Sequence, residues 1–250
     1  MFYKEIHENK NKILVLFIVF FAVYAFLIIS KDQVNELFDN IYYNENSEII
    51  QKFIGNTDNF SEKLKGFEFY NISQWYGKNL GQFIPFLGII FGFSVFSKEK
   101  EKNTISFLIT RIKRKTIFIK KYIYNILSGV LLVFIFDLFP LITSFFVNEK
   151  FSLNIFGIYT FSHIMVFFFW YSISVFFSVV LSDSIKSFLG SLIVFIITVS
   201  LGFLPFLGFL NSYFFMQNPY YMTAFNVLYI AVISLAFVFL SEKIFIKKDY

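Results

Sequence analysis

Residues 97–121 read SKEKEKNTISFLITRIKRKTIFIKK and lie between two long apolar runs. Their basic residues are Lys98, Lys100, Lys102, Arg111, Lys113, Arg114, Lys115, Lys120 and Lys121. Loops that carry many Lys and Arg residues beside membrane spans are retained in the cytoplasm. The segment therefore predicts a cytoplasmic loop that connects two membrane-spanning helices.

Apolar runs long enough to cross a membrane recur through the chain of 250 residues, whose hydrophobic content is 57% and whose mean hydropathy is +0.65. They cover residues 13–30, 80–96, 122–147, 161–181, 188–206 and 224–240. Since about 18–20 apolar residues cross the hydrocarbon core, the predicted fold class is an all-α polytopic membrane protein with six transmembrane helices. The second run is short, and we expect its helix to begin near Trp75 or Tyr76.

The distribution of Lys and Arg predicts that both termini lie in the cytoplasm. Of the 22 basic residues, those on the opposite side are Lys31, Lys52, Lys63, Lys65, Lys78 and Lys150. This asymmetry follows the positive-inside rule. The net charge of +5 arises from the cytoplasmic segments, so we expect no nucleic-acid partner.

Two segments outside the spans carry structure of their own. Residues 1–12 mix spaced apolar residues with Lys and Glu, which predicts an interfacial helix on the inner surface; a frayed polar tail is the alternative. Residues 31–79 contain three helical apolar stripes, which predict a small helical extracellular cap. We interpret residues 1–250 as a single transmembrane domain.

The loop 97–121 contains an amphipathic helix. Ile105, Leu108, Ile109 and Ile112 follow the i, i+3, i+4, i+7 spacing of one helix face. A loop that only reverses the chain does not need such a stripe. We therefore expect the stripe to be held by a partner on the cytoplasmic side.

Two ionisable residues fall inside predicted spans at similar depth, Asp137 in the third and His163 in the fourth. An ionisable group at the centre of a span costs roughly 2.5–3.5 kcal/mol, so each residue is expected to contact a partner or water. One hypothesis is that the two form a hydrogen-bonded intramembrane pair. The alternative is that both residues lie near the outer interface and contact water. In the second span, the spacing of Gly88 and Gly92 predicts close helix packing, within the subunit rather than between subunits.

An aromatic segment follows the fifth predicted span, after Pro205 and Gly208. Its gate-forming candidates are Tyr213, Phe214, Phe215, Tyr220 and Tyr221. The segment is too apolar for a solvated loop and too interrupted for a span. It predicts an outer gate built on a re-entrant hairpin, and an aromatic belt at the membrane interface is the alternative.

Several kinds of chemistry are excluded by missing residues. The chain has no cysteine, so it forms no disulfide and no thiolate metal site. It lacks a P-loop and an H-E-x-x-H motif, and His7 and His163 fall in different compartments. We expect no catalytic residues and no metal site in this chain.

The loop and the C-terminal tail carry a resemblance to a known family. The matching residues are Glu99, Glu101, Asn103, Thr104, Phe107, Leu108, Lys113 and Arg114, with the turn 182–187 and the tail 244–250. In these residues the chain resembles the permease subunits of ABC transporters of the type-2, exporter-like class. Asn103 stands where glycine is usual, and Arg111–Arg114 lacks the proline and serine of the family pattern.

The resemblance implies a six-span half-transporter in the cytoplasmic membrane. It would pair with a second permease subunit, as a homodimer or heterodimer, within membrane lipid. It would dock on a separate ATP-binding subunit, which would bind ATP and Mg, so no cofactor is expected in this chain. The implied coupling residues are Glu99, Glu101, Thr104, Ile105, Phe107, Leu108, Arg111, Lys113 and Arg114.

The substrate is the least constrained feature. Compact permeases of this kind resemble those that export peptides or toxins, or confer self-immunity, in Gram-positive bacteria, and the abundance of Phe, Lys, Asn and Ile indicates an AT-rich genome. Lipid or drug efflux is the first alternative. A self-sufficient channel or secondary transporter is the second, although such proteins usually show ionisable clusters and internal repeats. A membrane scaffold that transports nothing is a weaker third.

Overall fold

The computed structural model describes residues 2–34, 36, 65–217 and 219–248. Most of the predicted cap, residues 35 and 37–64, lies outside these described residues. Within them, every regular element is a helix, and six helices are long and apolar enough to cross a membrane. The predicted all-α polytopic fold class is therefore confirmed.

The first span is the helix Phe2–Ile29. The second span is composite, with an α-helix at Phe67–Tyr70, a π-helix at Asn71–Leu80 and an α-helix at Gly81–Gly92. The remaining spans are Arg114–Val147, Leu153–Val180, Ser184–Leu201 and Ala224–Lys247. Short helices at Ser97–Glu101, Thr104–Arg111, Pro205–Leu210, Ser212–Gln217 and Pro219–Tyr221 connect them.

The second span begins much earlier than predicted. Residues 67–79, assigned to the cap from sequence, belong to this span. Polar residues interrupt the apolar run in the sequence, which hid this part of the span. In the structure, side chains of such residues donate hydrogen bonds to the backbone of their own helix: Asn71 Nδ2 donates to Phe67 O at 2.9 Å and Asn79 Nδ2 donates to Gln74 O at 2.6 Å. A helix buried among other helices can hold polar side chains that are paired in this way.

The other boundaries also differ from the predicted ones. No break at residue 12 separates an interfacial helix from the first span. The third and sixth spans continue beyond their apolar runs into polar turns, and the fourth begins at Leu153 rather than residue 161. The fifth ends at Leu201 rather than residue 206, since the chain returns at Asn211 against Gly202, where a Cβ would lie 2.5 Å from the Asn211 Cβ.

The second and fourth spans pack together at the centre of the bundle. A Cβ on Gly88 would lie 2.8 Å from Phe167 O, and one on Gly92 would lie 2.8 Å from Tyr171 O. Only glycine permits this approach of the two backbones. The prediction that the two glycines serve packing within the subunit is confirmed.

The first and third spans close one side of the bundle through aromatic contacts. The Phe20 ring stacks on Phe136 at 4.6 Å between centroids, and Trp75 Nε1 donates to Phe136 O at 3.1 Å. The first, fifth and sixth spans leave long apolar faces exposed, including Ile18, Ile193 and Val232. Such faces suit contact with lipid.

Candidate functional site

The loop between the second and third spans folds as two short helices, Ser97–Glu101 and Thr104–Arg111; we call the latter the loop helix. Asn103 joins them with φ 54°, in the left-handed region. Asparagine adopts this conformation more readily than most residues other than glycine. Asn103 therefore meets the conformational demand at the position where the resemblance expects glycine.

The apolar stripe of the loop helix faces the protein's own bundle. Ile105 is buried, and Leu108, Ile109 and Ile112 pack against the hydrophobic core. The stripe therefore contacts the subunit itself, with Ile105 buried and the other three side chains partly buried. This packing against the bundle accounts for the periodicity of the stripe. Contact of the stripe with a partner stays a prediction.

The opposite face of the loop helix is exposed. We define the loop-tip surface as the exposed residues Glu101, Lys102, Asn103, Ser106, Phe107, Thr110, Arg111 and Lys113. Phe107 is 56% exposed, and the Arg111 guanidinium lies 4.0 Å from the centre of its ring. An exposed aromatic ring that stacks under an arginine presents both an apolar and a cationic contact to solvent.

A buried ion cluster lies behind the loop helix. Lys121 Nζ contacts Glu5 Oε1 at 2.5 Å and Glu99 Oε1 at 3.2 Å, and each of these side chains is at most 7% exposed. The Thr104 hydroxyl donates to Glu99 Oε2. The first span, the loop and the third span therefore meet at one lysine.

A second layer of the same cluster involves two asparagines. Asn9 Nδ2 donates to Asn125 Oδ1 at 3.0 Å, and Asn125 Nδ2 donates to Glu5 Oε2 at 3.4 Å. Glu5 and Asn9 are one helical turn apart, as are Lys121 and Asn125. The first and third spans therefore each direct two polar side chains from one face toward the other helix. Sequence reasoning missed Glu5, Asn9, Lys121 and Asn125. Their paired i, i+4 spacing was the available signal.

The loop is also bonded to the ends of two more spans on the same side of the bundle. Lys100 Nζ donates to the carbonyls of Ser178, Val179 and Leu181, where the fourth span ends. Arg114 Nη1 donates to Ile246 O at 2.8 Å and to Lys248 O at 2.9 Å, where the sixth span ends. Basic side chains that cap the terminal carbonyls of helices hold those ends in place.

The comparison with known families agrees with this architecture. The family model described as ABC-2 family transporter protein matches residues 2–208, which include the first five spans and the loop. The chain belongs to the ABC-2 transporter family. No curated protein and no solved structure matches it significantly. The protein is therefore a permease subunit of an ABC transporter, a multi-pass membrane component.

The sequence-predicted coupling residues of this ABC-2 permease divide into two groups. Glu99, Thr104, Ile105 and Arg114 make contacts within the subunit, and Leu108 packs on the core. Glu101, Phe107, Arg111 and Lys113 lie on the loop-tip surface. The first group secures the loop to the spans, and the second remains accessible to another protein.

The structure brings the two ionisable residues of the membrane interior together. His163 Nδ1 and Asp137 Oδ1 lie 2.7 Å apart, and both side chains are fully buried. The Tyr76 hydroxyl of the π-helix donates to the backbone oxygen of Asp137 at 2.6 Å. Because both side chains are fully buried, they do not reach water, which was the alternative. The pair connects the third span with the fourth.

The predicted gate residues belong to an outer segment, residues 202–223, that is broken into short helices. The Ser162 hydroxyl donates to Phe215 O at 3.0 Å, and Trp170 Nε1 donates to Ser212 Oγ at 3.2 Å. The helix Ser212–Gln217 thus lies beside the fourth span, where protein covers its backbone, which favours the re-entrant interpretation.

The five predicted gate residues do not share one surface. Phe215 is buried, and the Tyr213 ring packs on Phe195 at 5.6 Å. Phe214 and Tyr220 are exposed, and the side chain of Tyr221 lies outside what the structure describes. Phe215 therefore anchors the segment, whereas Phe214 and Tyr220 are accessible.

Proposed function

We propose that this chain is the membrane subunit of an ATP-driven exporter. The exporter moves an amphipathic or hydrophobic substrate across the cytoplasmic membrane. A separate ATPase subunit, docked on the loop-tip surface, supplies the energy. One observation carries the proposal: the segment 97–121, which presents Phe107 and Arg111 to the cytoplasm, is joined to all six spans. It continues from the second span and includes the start of the third. Its other contacts are those of Lys121 with Glu5 of the first span, Lys100 with the end of the fourth, Glu101 with Ser184 N of the fifth and Arg114 with the end of the sixth.

The contacts supply a physical route from docking to transport. A displacement of the loop helix shifts Glu99, which contacts Lys121 and through it Glu5 of the first span. It also shifts Lys100, which contacts the end of the fourth span. Buried charged pairs resist separation because an unpaired buried charge is costly. The loop and the spans therefore move together when ATP binding and hydrolysis in the partner move the loop.

The loop-tip surface also indicates the chemistry of its partner. Lys102, Arg111 and Lys113 outnumber the carboxylate of Glu101, while Phe107 supplies an apolar side chain. Interfaces of this kind combine a buried aromatic anchor with complementary charge at the rim. The docking surface of the ATPase is expected to offer an apolar pocket surrounded by acidic residues.

The substrate class is part of the proposal. An amphipathic peptide is favoured, because the outer end of the permease presents the accessible aromatic residues Phe214 and Tyr220 rather than a polar channel. A second permease subunit would complete the route. In the described residues, the intramembrane ionisable pair is fully buried within one subunit, which supports packing more than an ion pathway of its own.

The docking test compares two exposed phenylalanines on opposite sides of the membrane. Phe107→Ala is expected to reduce copurification with the ATPase encoded beside this permease by about thirtyfold, since truncating an aromatic anchor costs about 2 kcal/mol. Phe203→Ala, at a position that is 78% exposed on the outer side, should leave it unchanged. Leu108 is a poorer probe because it packs on the core.

Proteoliposomes that contain both subunits then test the substrate. ATP-dependent transport of a fluorescent amphipathic helical peptide supports the proposal, whereas transport of a fluorescent phospholipid or a hydrophobic drug alone would replace the peptide. Transport by the permease without any ATPase would contradict the proposal altogether, as would equal copurification of the Phe107→Ala and wild-type chains.

A further inference from the structure

A cavity of about 440 Å³ opens beside the outer end of the fourth span. Leu153, Gly157, Ile158 and Phe161 of the fourth span form one wall, and Tyr220 and Met222 of the outer segment form the other. The cavity lies apart from the loop-tip surface, at the opposite end of the bundle. Among the residues that line it, only Tyr220 was described above, as an exposed member of the outer segment.

The cavity runs along the membrane span. Residues 153, 157 and 161 are spaced four apart, so they lie on one face of the helix. Eight residues of helix correspond to about 12 Å, and half of the hydrocarbon core of a bilayer is about 15 Å thick. The cavity therefore starts at the outer end of the helix, and its wall is nearly as long as one leaflet of the hydrocarbon core is thick.

Gly157 explains why the space is empty. No atom lies within 4 Å of the position that its Cβ would take, in contrast to the close contacts at Gly88 and Gly92. A glycine inside a helix is less favourable than alanine, and no neighbouring backbone requires it here. Its visible effect is to keep the wall of the cavity open.

Polar groups lie near the entrance of the cavity. Asn154 is in the first turn of the fourth span, and Tyr220 is 65% exposed and carries a hydroxyl. The side chains deeper along the helix, Ile158 and Phe161, are apolar. Tyrosine at a membrane boundary places its ring in the apolar region and its hydroxyl in the polar one.

We propose that this cavity binds one acyl chain of a phospholipid in the outer leaflet, with the headgroup at Asn154 and Tyr220. The direction of the cavity matches that of an acyl chain in a bilayer, and its volume is within the range of ligand pockets. Each methylene that enters gains van der Waals contacts with the walls of the cavity, which is the attraction available inside a bilayer. The bound chain would support Tyr220 and Met222 and so stabilise the outer segment.

The test measures photolabelling of the cavity by a lipid, and compares the wild type with variants in which a larger side chain fills the cavity. The full-length protein is reconstituted in phosphatidylcholine vesicles with phosphatidylglycerol that carries a diazirine on one acyl chain, irradiated, delipidated in detergent and mapped by mass spectrometry. Labelling of the wild type is expected to concentrate on residues 153–161 and 219–222. Gly157→Leu should lower it by about tenfold, which corresponds to the loss of about 1.4 kcal/mol of packing contacts between the chain and the cavity.

Two further variants complete the test. Gly208→Leu is the matched control, because a Cβ at Gly208 also has no neighbour within 4 Å and that residue does not line the cavity. Met222→Trp fills the cavity from the other wall, so a folding defect in one variant does not decide the result. Its labelling should fall as in Gly157→Leu, while Gly208→Leu should match the wild type.

Three outcomes would overturn the proposal. The first is labelling spread evenly over the lipid-exposed faces, for example around Ile193. The second is undiminished labelling in both cavity-filling variants. The third is displacement of the label by an amphipathic peptide at low concentration, which would assign the cavity to the transported substrate. No ATPase is needed, so the result is independent of the proposed function.

Discussion

At the scale of single residues, Gly88 lies at a close contact between the two central spans. Its absent side chain allows the second span to lie directly against Phe167, Trp170 and Tyr171 of the fourth. Backbone atoms form two of the three nearest contacts, and they cannot move aside as a flexible side chain can. Any larger residue must therefore separate the two central spans.

We predict that Gly88→Ala lowers the thermal stability of the purified protein, because overpacking a close contact costs about 1–3 kcal/mol. Gly157→Ala is the matched control, since that helical glycine has open space around it, and the change should stabilise the protein by up to about 1 kcal/mol. Unfolding temperatures in detergent check both. Equal temperatures for the two variants would show that the close packing of the spans is not as described.

At the scale of elements, Lys121 connects the first span, the loop and the third span. It neutralises the carboxylates of Glu5 and Glu99, all three being almost completely buried. The exposed pair of Lys115 and Glu242, 3.4 Å apart, offers a contrast, because the lysine is 67% exposed. Exposed pairs contribute about 0–1 kcal/mol, whereas breaking a buried pair costs about 3–5 kcal/mol.

Lys121→Met is therefore predicted to destabilise the protein strongly, by leaving two buried carboxylates without their cation. Lys115→Met should have little effect. The triple variant Glu5→Gln, Glu99→Gln and Lys121→Met should recover part of the loss, since it removes the uncompensated charges. Thermal unfolding of the four proteins measures this, and a triple variant that is less stable than Lys121→Met would contradict the electrostatic interpretation.

At the scale of the whole molecule, the charge asymmetry assigns the two ends of the bundle to the two sides of the membrane. The basic loop and both termini lie at one end, and the turn at residues 148–152 lies at the other. Because the chain contains no cysteine, introduced cysteines report on single positions without background. Ser182 and Lys150 are exposed turn residues at opposite ends.

We expect Lys150→Cys to react with a membrane-impermeant maleimide in intact cells. Ser182→Cys should react only after the membrane is permeabilised, because the positive-inside rule places that turn in the cytoplasm. Mass-shift gels of the labelled chain measure both reactions. The reverse pattern would invert the topology, and the loop-tip surface would then be inaccessible to a cytoplasmic ATPase.

The sequence by itself determined the fold class and the number of spans, and its charges predict which side of the membrane each end of the bundle occupies. These properties depend on hydrophobicity and charge, which act on each segment separately. It also located the loop, the Asp137 and His163 positions and the small-residue spacing of Gly88 and Gly92. The loop motifs were sufficient to suggest the family that residues 2–208 match.

Only the tertiary structure decided which face of each helix meets a neighbour. The stripe of Ile105 was visible in the sequence, but periodicity cannot distinguish an apolar face turned to a partner from one turned to its own bundle. The polar start of the second span and the cluster around Lys121 were hidden for a related reason. Their charges and amides are stable in the interior because residues distant in sequence pair with them, and such pairing exists only once the helices have assembled.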